Sequence, residues 1–396
     1  MGKKKKKLSK YVLLRDGFIS TILSLLTCYL ISLLFFNISF FNPISKALQD
    51  FSFLDVYYAE KLDEEKPINP NIILVNVENE SRAKIAQVLH QTLKASPRVV
   101  GFDVILKDFR KTREDSLLAK YLKNEKVITA VILQEDQTIS NHPFFRVKNS
   151  PGFVNFNFET QNAVIRTFSG EKRFSKKTFS SFSNQIAQKF LSKKKWKKMA
   201  LAEKLKAPRV INFQGNLERF MNFTLEEFLD LENRDIVKDK IVLLGYLGSP
   251  TGNTFDVEDK HFTPLNSTTA GKSIPDMYGL VIHANIIAMI LSNDFMFKVP
   301  GFWIFLLTFL FSFLASIYFI WLDRRLKISY RTVRKTVLFV FAVLMVWISL
   351  VFFKYGIVLK TTLIIAVTVF SAGFVKYYKH LVRYINTKRK FRSYLK

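Results

Sequence analysis

One cysteine, Cys28, is all the thiol this chain of 396 residues offers, so neither a disulfide framework nor a thiolate metal site is available to it. No H-x-x-x-H or comparable ligand pairing occurs among its five histidines, which leaves metal: none as the expectation. Nor is there a G-x-S-x-G turn to expose a nucleophile, and the catalytic expectation is likewise none. Acidic residues are scarce, 32 against 60 Lys and Arg, for a formal net charge of +28. Such a balance invites a nucleic-acid reading, which depends on where the charge sits.

It sits beside apolar runs. Residues 1–16 carry seven basic residues and one acid, 323–335 six and one, and 376–396 eight and none. Between them lie four runs, 17–41, 299–322, 336–353 and 355–375, free of Asp, Glu, Lys and Arg except for Lys360. Each is long enough to cross ~30 Å of hydrocarbon at ~1.5 Å per residue. Four transmembrane α-helices are therefore expected. If each crosses once, all three basic segments fall on one side, which the positive-inside rule makes cytoplasmic. Residues 42–298 then lie outside, and the termini inside. The first run follows a basic start but is longer than a signal-peptide core and precedes no A-x-A site, so it is read as a retained anchor. Gly2 does not begin a myristoylation motif, because position 6 is Lys6 rather than Ser or Thr.

The outer segment reads as α/β. Ile72–Val77, Arg98–Ile105, Val127–Leu133 and Ile241–Leu244 are short apolar runs of buried-strand type, and Ser81–Ala95 and Asp115–Leu122 alternate with them as helices, giving a mainly parallel sheet with flanking helices. Val281, Ile282, Ile286, Met289 and Ile290 recur at helical spacing from Pro275 onward, with His283 and Asn285 in the early turns. Residues 142–223 carry a helix at Phe182–Leu191 and strands near Phe153, Phe156, Phe158 and Val210–Phe213, and are read as an insertion on the sheet edge. The linker 42–71 is read as helical in its first half.

Several stretches, taken in order, resemble the CHASE2 domain, an extracytoplasmic sensory module of bacterial membrane proteins: NIILVNVENESRAKIA, GFD after a strand, PGFVNFNF followed by VIRTF, KIVLLG, an acidic residue shortly before TPL, and YGLVIHAN leading into an apolar helix. The resemblance implies a multi-pass protein of the bacterial inner membrane with a periplasmic domain and four spans. One departure is clear. Many members have a Trp/Pro/Arg-rich stretch after the first strand, whereas this chain passes from Glu80 to a helix almost at once, so any ligand contact that stretch supplies is not carried over. Members often carry a kinase, cyclase or phosphodiesterase after the last span; here 376–396 follows, which leads to the expectation that output passes to separate partners.

Ligands of parallel sheets bind at the carboxyl ends of the strands. Asn76, Asp103 and Gly245 fall at three such ends, and the loop bearing Asp256, Asp259 and Thr263 starts from the third; with His283 and Asn285 these form the candidate ligand-binding set. A rival reading has Asn76 and Asp103 bonding loop backbone alone. The segment NSTTAGKS at Asn266–Ser273 lacks the first glycine and the leading strand of a phosphate loop and is read as an ordinary loop. Lys193–Lys198, KKKWKK, lies outside on the topology above, so no nucleic-acid partner is expected and a solvated face or anionic headgroups are the readings kept. Tyr377, Leu381, Tyr384, Ile385 and Phe391 suggest an amphipathic basic helix after the fourth span. A transporter is disfavoured by the lack of acids within the runs. The expectation is a non-catalytic sensor or adaptor, with a structural scaffold of an envelope complex as the alternative. No cofactor is expected; the partners expected are membrane lipids and other membrane or envelope proteins, with a homo-oligomer left open.

Overall fold

The structure, a computed structural model, describes residues 2–37, 67–134, 137–145, 147, 151–156, 164–266, 274–326 and 330–395. The chain divides into a sheet unit, Leu54–Met296, and a helical unit, Met1–Phe53 with Phe297–Lys396. The linker expectation, Phe158 and most of the Asn266–Ser273 loop fall outside the described residues.

In the sheet unit the apolar runs become strands β1 (Asn69–Asn76), β2 (Val99–Phe102) and β3 (Val127–Gln134), followed by β4 (Gln137–Ile139), β5 (Gly152–Phe153), β6 (Phe220–Thr224) and β7 (Ile241–Gly245). Their order is β6-β1-β7-β2-β3-β4, with β5 also on β3. Every pair is parallel except β3 with β4. β1, β7 and β2 have helices over both faces, which is why they read as continuous apolar runs.

Helices cover both faces. Those here are α2 (Arg82–Lys94), α3 (Arg113–Leu122), α4 (Phe182–Phe190), α5 (Leu225–Leu229) and α6 (Gly279–Ser292), where α1 is the N-terminal helix Gly2–Asn37 of the helical unit. Ser81, Thr112 and Ser181 cap α2, α3 and α4 by accepting a backbone N–H three residues on, and Thr224 with Glu227 forms a capping box at α5. Ile73, Val75, Val100, Phe102, Val242 and Leu244 point to one face and pack on α2, α3 and α5. Residues of the other parity face α4 and α6. There Gly101 lets α4 approach, since a Cβ on it would lie 2.7 Å from both Ile186 Cδ1 and Leu243 Cδ2.

Residues 142–223 therefore do more than extend an edge: β5 joins β3, but α4 supplies part of a covering layer beneath the sheet. Of the strands expected there, Phe156 is coil and Val210–Phe213 shortens to Arg209–Val210, paired with Thr167–Phe168.

In the helical unit, α1, α7 (Gly301–Arg325), α8 (Tyr330–Lys354) and α9 (Thr362–Lys388) are long and apolar enough to cross a membrane, α1 over Lys10–Leu33. α1, α7 and α9 pack together and α8 lies against them more loosely. Their contact carries hydroxyls: Thr21 Oγ1 donates to Ser316 Oγ at 3.1 Å, and Ser24 and Ser371 share a 2.7 Å bond. Small and hydroxylated residues allow such close approach between helices.

One expectation changes in this unit, and Asp16 has a setting that its sequence position did not show: it is fully buried. It accepts Ser393 Oγ at 2.5 Å and the Tyr394 N–H at 2.6 Å. Further, α9 ends at Lys388, and the tail folds back so that Leu395 is buried with Phe319, Ile320, Tyr378 and Val382. Phe391 thus belongs to this packed return, not to a continuing amphipathic helix.

Candidate functional site

Asn76, Gly245 and Asp103 end three neighbouring strands on one face of the sheet. Asn76 pairs with Gly245 in register, Leu244 pairs with Phe102, and the Asp103 N–H donates to the Leu244 carbonyl at 2.8 Å. A Cβ on Gly245 would lie 2.8 Å from Leu280 Cδ1 and 3.3 Å from Asp103 Cβ, so the glycine lets the start of α6 come down onto the strand ends. Asp259 completes the group. Its backbone carbonyl accepts the Gly279 N–H at 2.9 Å, and its carboxylate lies about the first residue of α6, where a Cβ on Gly279 would be 3.0 Å from Oδ2. Negative charge is favourable at that helix end. His261 Nε2 stands 3.7 Å from Asp259 Oδ1.

Asp103 is the unusual member. Its side chain keeps a partial opening to solvent yet has no hydrogen-bond or ion-pair partner among the described residues. Burial first, and the Asp259 charge second, push its carboxyl up to about 8. Near neutral pH it is a carboxylic acid able to donate a hydrogen bond beside a carboxylate able to accept one.

The other members hold the loops. Asn76 uses its full capacity on protein: its Nδ2 donates to the Gly248 carbonyl at 2.7 Å and Thr251 Oγ1 at 2.9 Å, and its Oδ1 accepts the Leu247 and Glu78 N–H groups at 2.9 and 3.0 Å. Gly248 is required in that loop, having φ +96° and no room for a Cβ beside the Tyr278 hydroxyl. Asp256 accepts the Tyr246 hydroxyl and the Ser249 and Glu258 N–H groups. Those bonds hold its carboxyl below the ordinary range. Thr263 donates its N–H and Oγ1 to Asp276 at 2.8 and 2.5 Å, yet burial still pushes Asp276 up to about 6. Asn285, fully buried on α6, accepts the Gln214 N–H at 2.7 Å and donates to the Gly215 carbonyl at 2.9 Å.

His283 faces α4. Its Nδ1 bonds Ser183 Oγ at 2.9 Å, its ring packs near Phe156 and Phe182, and burial, with the neighbouring His261, lowers it to about 3. It is therefore a neutral packing residue whose side chain bonds Ser183. Among the described residues, no group of three or more His, Cys, Asp or Glu is arranged to hold a metal ion. His261, Asp276 and Tyr278 join the neighbourhood without having been in the candidate set. The only sequence signal for them was their presence in the polar loop and at the helix start.

The family model described as the CHASE2 domain matches residues 32–318, which takes in the whole sheet unit and the carboxyl pair. The chain belongs to the CHASE2 family. CHASE2 is a sensor-type domain, and it is the sheet of that domain whose strand ends carry Asp103 and Gly245. No curated protein and no solved structure matches the chain.

Proposed function

We propose that this CHASE2 protein is a non-catalytic sensor or adaptor of the bacterial inner membrane, its sheet unit outside, its termini inside, and its output passed to separate partner proteins. The observation that carries the reading is the Asp103 and Asp259 pair: an acid raised to about 8 and without a protein partner, beside a carboxylate, at the start of α6. A paired donor and acceptor at that point suits recognition of a small polar molecule or a polar group of another protein. α6 ends at Ser292, only a short segment before α7 begins at Gly301, so a shift at its start has a direct covalent route to a long apolar helix. Support for the orientation comes from the basic segments at 1–16, 323–335 and 376–396, which positive-inside statistics put in the cytoplasm.

Purification of the tagged full-length protein in mild detergent, with identification of what accompanies it, tests this reading. Recovery of a small molecule that is lost from folded Asp103→Asn protein is the expected result. A stoichiometric envelope protein with no small molecule, insensitive to Asp103→Asn and Asp259→Asn, would instead establish a structural scaffold. That second reading draws on the complete use of Asn76 and Asn285 within the protein.

A further inference from the structure

The two poles of the sheet unit differ in charge. Strand carboxyl ends and their loops mix Asp256, Glu258 and Asp259 with Lys107, Arg110, Lys111 and Lys260, and Asp103 there holds its proton near neutral pH. At the opposite pole, where the strands begin and α2, α3, α4 and α6 end, basic residues prevail, among them Arg98, whose Nε donates to the Phe190 carbonyl at the end of α4. The densest part is the short helix Lys193–Lys198, which follows α4 directly. All five of its lysines are exposed, and only Trp196 between them is partly buried. Among the described residues none of the five takes part in an ion pair. Five like charges on six residues repel one another, a cost that a local purpose within the fold does not offset.

Both chain ends of the sheet unit leave at this pole. β1 begins there at Asn69, and α6 finishes there at Ser292. The lysine segment is fastened to the second exit: Lys204 Nζ donates to Asn293 Oδ1 at 2.8 Å and lies 5.5 Å from the centre of the Phe295 ring, a few residues before α7.

We propose that this pole, centred on Lys193–Lys198 and Trp196, is a docking surface for anionic phospholipid headgroups of the membrane that the long helices cross. The proposal rests on the reading that α1 and α7 are membrane spans. Both chain exits lie at this pole, clustered lysines suit phosphate, and an indole among them suits the headgroup layer. The Asp103 and Asp259 pair lies at the other ends of the strands.

Hydrogen exchange of full-length protein in nanodiscs tests this. In discs with about one-third phosphatidylglycerol, residues 193–206 should exchange roughly five-fold more slowly than in phosphatidylcholine alone, and high salt should abolish the difference. A variant with Lys193, Lys194, Lys197 and Lys198 changed to Gln should lose the protection while β1 and α6 keep theirs, which separates lost docking from lost folding. Equal exchange in the two lipids overturns the proposal, as does protection indifferent to both salt and the Gln variant. Slowing by added polyglutamate but not by phosphatidylglycerol would assign the surface to an acidic protein and also overturn it. Because a nanodisc presents the same lipid on both faces, these outcomes hold whichever side the sheet unit occupies; failure of the span reading is scored separately, by loss of the protein from the discs at alkaline pH.

Discussion

The sheet unit and the helical unit differ in what they leave exposed and in the hydroxyls they enclose. In the first, Ile72, Leu74, Val99, Leu243 and Ile287 are fully enclosed, and among the buried polar groups Asn76 and Asn285 tie loops. In the second, Trp303, Phe339 and Trp347 are 54%, 70% and 61% exposed, while Ser20, Thr21, Ser24, Ser312, Ser316 and Ser371 are enclosed. On the proposed membrane reading, one chemistry serves two solvents. Where water surrounds the fold, apolar area is removed from it at about 25 cal/mol per Å²; where hydrocarbon does, apolar surface gains nothing by association and small or hydroxylated residues make the helix contacts.

The largest break in this comparison should come from Gly152→Val. A Cβ there would lie 2.4 Å from Phe182 Cα and 2.7 Å from its nitrogen, which are backbone atoms of α4. We predict a loss of about 3 kcal/mol or more in the sheet unit, seen as rapid proteolysis of residues 67–296 while the helical unit stays membrane-embedded. Asn76→Ala comes next. It leaves two buried N–H groups and a carbonyl without partners, for a loss of about 2–3 kcal/mol in the sheet unit alone by thermal melting.

Acidity separates three titrating groups within the sheet unit. Asp103 holds its proton to about 8 in the fold against 3.8 ordinarily, so the stability it contributes is complete below about 4 and is lost as pH rises toward 8. Asp276 acts in the same sense, up to about 6. His283 runs the other way: kept neutral down to about 3 against 6.5, it contributes fully above 6.5 and loses that contribution as pH falls toward 3. We predict that Asp103→Asn becomes more stable than the parent as pH rises from about 4 to about 8, by ~2 kcal/mol or more at the upper end, and that His283→Asn flattens the acid limb instead. Superimposable profiles for parent and Asp103→Asn would remove the basis for a raised acid. The smallest effect belongs to the helical unit: Ser24→Ala, which deletes the bond to Ser371, should cost about 0.6 kcal/mol in detergent unfolding and leave the sheet unit's melting unchanged.

Much of the fold was legible because β1, β2, β3 and β7 are uninterrupted apolar runs, and α6 is apolar on every side with no charge from Gly279 to Ser292. β6 was not. It reads FMNFT, an edge strand with one buried residue, and no period in the sequence marks it as the neighbour of β1. That α4 covers a face was hidden for a different reason: the information is in Gly101 and Gly152, whose missing side chains admit it, and a glycine in a sequence does not say what approaches it. For the site, Asp103 and Gly245 were legible as ends of apolar runs. The return of Asp259 across a polar loop to Gly279 was not, since loop length alone fixes no partner. Nor was the saturation of Asn76 by Gly248 and Thr251, about 170 residues away in sequence.

The comparison rests on the sheet unit standing in water outside the membrane and the tail after α9 standing inside. Cysteines placed singly at exposed Ser192 and Lys388, with Cys28→Ser, and treated with an impermeant thiol reagent in intact spheroplasts, test that claim most directly. Labelling at 192 in intact cells, and at 388 only after permeabilisation, is the result predicted by the +6, +5 and +8 basic segments. Labelling at 388 and not at 192 in intact spheroplasts would contradict it, and with it the assignment of the Asp103 and Asp259 pair to the outside.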